Sequence, residues 1–274
     1  MKKALAIGIS VLALSAAGQA NASDLYVPAP APAGSYKDAP YVPETWTGFY
    51  LGINGGYGWS AQDSTVRAAG ETQVCTGNVE VCNPQTVTQY GTKSFGTDGG
   101  FGGGQIGYNY QRGSIVLGVE ADIQGSAIDG SGTVNLANVS ASATGKNDLD
   151  WFGTLRGRLG YAAGGTLVYF TGGFAFGGVT DTLTVKPAQG ASSTVSSSST
   201  NTGYVLGGGV EQKINPSWSV KAEYQYFDLG HDWLYTSAGN PGYQAVATYN
   251  AEHSYNTVRL GLNYHIGSTA EPLK

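Results

Sequence analysis

Apolar and polar residues alternate strictly along the stretch from Asp148 to Tyr161. A period of two predicts a β-strand, because successive side chains of a strand point to opposite faces. One face carries aromatic residues near both ends, and the other carries two arginines in its middle, as in a strand that faces lipid outside and a polar lumen inside. The first face consists of Leu149, Trp151, Gly153, Leu155, Gly157, Leu159 and Tyr161, and the second of Asp150, Phe152, Thr154, Arg156, Arg158 and Gly160.

Seven further stretches repeat this alternation, which predicts an all-β fold: an eight-stranded antiparallel up-and-down transmembrane β-barrel. The other strands are centred on 49–59, 106–110, 115–123, 168–176, 204–214, 218–226 and 258–266. Aromatic residues on the outward faces are expected to form girdles at the two membrane interfaces. They are Trp59, Tyr108, Tyr110, Trp151, Tyr161, Phe174, Phe176, Tyr204, Trp218, Tyr224, Tyr226 and Tyr264.

The predicted connections alternate between short and long. The short ones, expected in the periplasm, are Arg112-Gly113, Gly164-Gly165 and Asn215-Pro216-Ser217. They set the strand register, with Tyr110 opposite Ile115, Tyr161 opposite Val168, and Glu211 opposite Lys221. The stretches 60–97, 125–147, 178–201 and 229–252 are rich in Ser, Thr, Gly and Asn and predict four long extracellular loops.

The chain begins with two lysines, an apolar run and Ala20-Asn21-Ala22, which predicts a secretory signal peptide over residues 1–22. A Pro/Ala-rich stretch over 23–45 predicts an extended periplasmic leader. The barrel is predicted over 46–266 and a short tail over 267–274. Without Lys2 and Lys3 the chain has 12 Lys and Arg against 19 Asp and Glu, which argues against a nucleic-acid partner.

Charged residues fall on the inward faces of the predicted strands. An eight-stranded barrel is just wide enough for its own side chains, and buried charges require partners. We therefore expect a packed ion-pair network without a wide channel, while a charged constriction that selects small solutes is the alternative. The residues are Glu120, Asp122, Asp150, Arg156, Arg158, Glu211, Lys213, Lys221, Glu223 and Arg259.

Cys75 and Cys82 lie close together in a polar stretch of an exported chain. A local disulfide that closes an external loop is expected, since export leads to an oxidising compartment. Two cysteines without a nearby histidine are too few ligands for a zinc site, so no metal is expected.

Several motifs resemble the small outer-membrane β-barrel family of alphaproteobacteria, the porin-family or outer-membrane immunogenic proteins. The Pro-Ala leader and the segments 46–52, 150–161 and 258–264 carry the resemblance. It implies a bacterial outer-membrane location, an eight-stranded barrel and a surface antigen. The implied partners are outer-membrane lipids and lipopolysaccharide, the outer-membrane assembly machinery, and host or envelope ligands of the loops. The implied assembly signal is Arg259, Gly261, Tyr264 and Ile266, although the chain ends eight residues later and Ile266 replaces the usual terminal Phe.

Two further activities are weighed against the sequence. Some relatives bind haem, which makes His231 and His253 candidate surface ligands, but no resident cofactor is expected. Some eight-stranded barrels modify lipids, and Glu252-His253-Ser254 contains the residue types of a catalytic triad. Adjacent strand residues point to opposite faces, so they do not form a triad among themselves, and no enzyme is expected. The predicted function is that of a structural and surface-interaction protein of the outer membrane.

Overall fold

The computed structural model describes residues 45–76 and 83–266, which form one antiparallel sheet of ten strands. A short 3-10 turn, Ala137–Val139, separates the strand that ends at Leu136 from the one that begins at Ala141, and no helix in the described ranges is long and apolar enough to cross a membrane. The strands are β1 Gly48–Ser60, β2 Ser64–Thr76, β3 Asn83–Phe95, β4 Asp98–Arg112, β5 Ile115–Leu136, β6 Ala141–Ala163, β7 Thr166–Lys186, β8 Ser193–Asn215, β9 Trp218–Asn240 and β10 Tyr243–Ile266.

The pairing of strands closes on itself. β1 pairs with β4 on one side and with β10 on the other, so β1 and β4 to β10 form a ring of eight strands. These are the eight predicted strands. The total of eight is nevertheless wrong for the sheet as a whole, because the predicted first loop folds into the hairpin β2–β3, which adds to β10 through β2.

Two of the three predicted registers are confirmed. Tyr161 lies opposite Val168, and Glu211 lies opposite Lys221. The first register is wrong by two residues, since Tyr110 lies opposite Leu117. The turn is made by residues 113 and 114, with Gly113 at a φ of 62°, so it lies one residue later than predicted. A shift of two leaves every side chain on its predicted face.

The predicted long loops are largely strand. β5, β6 and β10 contain 22, 23 and 24 residues, about twice the roughly 9–11 residues that cross a membrane. The prediction was wrong because it took Ser and Thr as loop formers, whereas here their hydroxyls pair across strands. Such pairs stabilise a sheet. The hydroxyl oxygens of Thr182 and Ser196, and of Thr184 and Thr194, are each 3.1 Å apart.

The outer surface of the ring is apolar. Every residue of the predicted girdles lies on the outward face; Phe174, for example, is 72% exposed. Eight of the twelve aromatic residues are exposed and four are half-buried: Tyr108, Trp151, Phe176 and Tyr226. An exposed apolar belt of this kind is typical of a surface in contact with lipid or with a partner.

Inward-facing side chains of β6 pass through successive layers of the ring's interior. Ala162 belongs to a small apolar cluster around Trp46 at the end with short turns. Arg158 and Arg156 follow in a charged layer. Phe152 lies in an aromatic layer, where its ring stacks on Phe227 at 4.9 Å. A polar layer that includes Asn147 and an aliphatic layer complete the interior towards the other end.

Candidate functional site

Eight charged side chains of the described residues meet in the charged layer inside the ring. Four are acidic and four are basic, so their formal charges cancel. Each side chain is at most 2% exposed, and alternation along the strands directs them all inward. They are Glu120, Asp122, Glu211, Glu223, Arg156, Arg158, Lys221 and Arg259.

Arg156 is the most connected cation of this layer. Its guanidinium contacts Glu120 on the neighbouring strand β5 and approaches Asp122 Oδ2 at 2.7 Å. It also reaches across to β9, where Nη1 lies 2.8 Å from Glu223 Oε1. Arg259 donates from Nε to the same oxygen at 2.8 Å. The two guanidiniums therefore link acids on different walls of the ring.

The remaining two cations, Lys221 and Arg158, also pair with acids of the layer. Lys221 Nζ donates to both oxygens of Glu120, at 2.8 and 3.0 Å. Arg158 contacts Glu211, and its Cζ lies 3.7 Å from the centre of the Tyr169 ring. Although Glu211 lies opposite Lys221 in the ladder, the nearest ionic partners of both residues are elsewhere.

Two of the ten predicted lumen residues lie outside this layer. Asp150 is exposed, so its predicted inward direction is wrong: the β6–β7 register shifts between Leu149 and Trp151, and this bulge turns Asp150 outward. Lys213 does point inward. It lies nearer the short turns, where its Nζ donates to the Thr45 carbonyl at 2.6 Å and lies 5.1 Å from the Trp46 ring.

Neutral side chains complete the layer, and the sequence analysis missed them. Tyr50 donates to Glu120 Oε2 at 2.7 Å, and Tyr169 donates to Glu223 Oε2 at 2.5 Å. Thr154 donates to Asp122 Oδ2 at 2.7 Å. Alternation could have identified Tyr50 and Tyr169 as inward-facing, because both fall on the polar side of their strands. Buried carboxylates retain their charge more readily when hydroxyls donate to them.

The predicted cysteines, assembly signal and histidines lie elsewhere in the chain. Cys75 lies in β2 and is disulfide-bonded, whereas Cys82 lies outside the described residues. In the assembly signal Arg259 points inward, while Tyr264 and Ile266 are exposed on the apolar face. His231 is exposed, but His253 is fully buried, so its predicted place at the surface is wrong.

The arrangement supplies buried charges that neutralise one another. Asp122, Lys221 and Arg156 have fully buried side chains. Glu252 is only half-buried and lies on the face opposite His253, as predicted, whereas Ser254 is buried like His253, contrary to the predicted alternation. The chemistry of the site is therefore that of a buried ion-pair network.

The chain is similar to known outer-membrane proteins. A family model described as "Outer membrane protein beta-barrel domain" matches residues 4–265. The chain is 36% identical over 262 residues to the 31 kDa outer-membrane immunogenic protein of Brucella melitensis, covering 93% of this chain and 97% of the relative. It is 32% identical over 177 residues to a 22 kDa outer membrane protein of Rhizobium leguminosarum bv. viciae, covering 63% and 71%.

Among solved structures, the outer membrane protein OprG from Pseudomonas aeruginosa is similar at 12% identity. The match covers 80% of this chain and 97% of that one, with a TM-score of 0.38.

Proposed function

We propose, from the premise that this chain belongs to the outer-membrane protein β-barrel family, that it is a structural and surface-interaction protein whose eight-stranded barrel spans the membrane without a wide channel. The membership confirms the predicted family and the predicted location in the outer membrane. The charged layer carries the functional part of the proposal.

The burial of that layer supports a closed lumen. A continuous water-filled channel would expose some of the charged side chains to solvent, yet Arg156, Lys221 and Arg259 are fully buried. Eight strands enclose a space that side chains can fill. The aromatic layer adds a second obstruction, with Phe101, Phe152 and Phe227 packed at ring distances of 4.9–5.2 Å. A narrow pore for small solutes is the alternative function.

The projecting parts of the strands support a role at the surface. About half of β5, β6 and β10 extends beyond the apolar belt, and the hairpin β2–β3 adds to this projection. Trp233 and Tyr235 expose 66% and 63% of their surface there. Exposed aromatic residues on a rigid support are suited to binding a partner. We infer that this projection contacts envelope or host ligands, while the belt contacts lipid and lipopolysaccharide.

The proposed orientation predicts opposite labelling of two exposed positions. Asn138 lies at the β5–β6 end, and Ser114 lies in a short turn at the opposite end of β5. In intact cells, a membrane-impermeant maleimide is expected to label Asn138→Cys and to leave Ser114→Cys unlabelled until the cells are lysed. The reverse pattern would contradict the orientation, and equal labelling of both would contradict the spanning barrel.

A further inference from the structure

Three side chains from three strands converge in the polar layer above the aromatic layer. Asp181 comes from β7, Asp232 from β9 and His253 from β10. His253 Nε2 lies 3.1 Å from Asp181 Oδ2 and 3.3 Å from Asp232 Oδ2. These residues lie beyond Tyr226 and Asn256 on the side of the projecting strands, and the charged layer does not include them.

We propose that Asp181, Asp232 and His253 bind a first-row divalent transition-metal ion such as Zn²⁺. One imidazole nitrogen and two carboxylate oxygens are a donor set that such ions accept. Tetrahedral metal–ligand bonds of about 2.0–2.2 Å place neighbouring ligand atoms roughly 3.3–3.6 Å apart. The two distances from Nε2, 3.1 and 3.3 Å, come within about 0.2 Å of that spacing, and all three ligand atoms lie within 4.8 Å of one another.

The imidazole itself supplies an independent observation. His253 is fully buried, and Nε2 makes a geometrically acceptable hydrogen bond with neither nearby carboxylate. A buried polar atom without a hydrogen-bond partner is rare in proteins. Nε2 is aimed between the two carboxylates, where an ion bound to all three groups would satisfy it.

The pairing of β10 with β9 is irregular beside the imidazole. It passes from Glu252–His231 to Ser254–Asp228, so two β9 residues, Leu229 and Gly230, lie across from His253 alone. His253 keeps the inward parity of Tyr255 and Arg259, and all three side chains are buried. Bulges are common next to functional sites.

Two asparagines contact the three ligands. Asn147 Nδ2 lies 3.0 Å from His253 Nδ1 and donates to Asp181 Oδ1 at 3.0 Å. Asn201 Nδ2 donates to Asp232 Oδ2 at 3.0 Å. Outer contacts of this kind orient metal ligands. When Nε2 binds the metal, the ring proton sits on Nδ1, which requires the Asn147 amide to present Oδ1 there and to exchange its present bonds to Asp181 and Tyr255.

Charge and access also suit a cation. The carboxylates of Asp181 and Asp232 both face the His253 imidazole, so negative charge is concentrated at this position. The same two carboxylates attract a metal ion to this position. The Asp232 side chain is 38% exposed, so an ion can enter from that side.

Zinc titration of the refolded mature chain tests the site, and it does not depend on whether the lumen conducts. Isothermal titration of the chelator-washed protein with ZnCl₂ is expected to give one saturable ion per chain. His253→Gln and Asp232→Asn are each expected to weaken binding at least tenfold, while His231→Gln, which changes an exposed histidine next to Asp232, leaves the affinity unchanged.

Folding of each variant is checked by its heat-dependent migration in electrophoresis. Because Asp232 is partly exposed, its variant provides a reading even if His253→Gln does not fold. The proposal is overturned if the wild-type protein does not bind zinc, or if a folded Asp232→Asn or His253→Gln variant binds it as tightly as the wild type does.

Discussion

Replacing Arg156 by Ala is expected to lower the free energy of unfolding by about 3–5 kcal/mol, because it leaves buried carboxylates without their shared cation. Arg156 contacts Glu120, Asp122 and Glu223, and its side chain is fully buried. These acids would then repel one another in a medium of low dielectric constant. Urea-induced unfolding in detergent micelles, followed by tryptophan fluorescence, measures the loss.

Arg112→Ala is the matched control, since Arg112 is exposed beside a short turn and its loss is expected to change stability by less than about 0.5 kcal/mol. A double-mutant cycle with Glu223→Gln refines the test. Neutralising Glu223 removes one of the uncompensated charges, so the loss caused by Arg156→Ala should be smaller in that background. An unchanged unfolding midpoint in Arg156→Ala would contradict the ion-pair network.

Phe152→Ala is expected to have an effect of similar size, about 3–5 kcal/mol, because a large buried ring is removed from a packed layer. Phe152 is 1% exposed and contacts Phe101 edge-on at 5.2 Å and Phe227 face-on at 4.9 Å. Strands that are held in a closed ring cannot move inward to fill the cavity. The same urea titration measures the loss.

Trp233→Ala serves as the control, because this larger ring is 66% exposed in the projecting part of β9. Its loss should change stability by no more than about 0.5 kcal/mol. Equal losses for Phe152→Ala and Trp233→Ala would mean that the aromatic layer does not support the ring.

The face of the sheet to which each side chain points was the most predictable feature of the chain, because the side-chain period of a strand depends on the backbone alone. Arg156, Glu223 and Arg259 were assigned inward from alternation, and all three point inward. Register was less predictable, because it depends on which residues form each turn. The turn between β4 and β5, with Gly113 at a positive φ, lies one residue later than predicted. The pairing of these two strands is therefore shifted by two residues.

A bulge accounts for the misplaced Asp150. Simple alternation continues through a bulge in the sequence, while in the structure one side chain is re-aimed, so Asp150 was assigned inward and lies outside. The burial of His253 was missed for another reason: alternation from Arg259 places it inward, but the stretch up to residue 252 was taken as a loop. The strand extensions were missed because their composition is polar. Thr182 of β7 pairs with Ser196 of β8, and the sequence of β7 alone does not show which residue will lie opposite.

Single-channel recording of the wild-type protein in a planar lipid bilayer tests the closed lumen most directly. The refolded mature chain, inserted beside a wide-pore porin as a positive control, is expected to show no stepwise openings, because buried side chains such as Arg156, Lys221 and Phe152 fill the ring. Reproducible, long-lived openings in most insertions would contradict the closed lumen and favour the narrow pore.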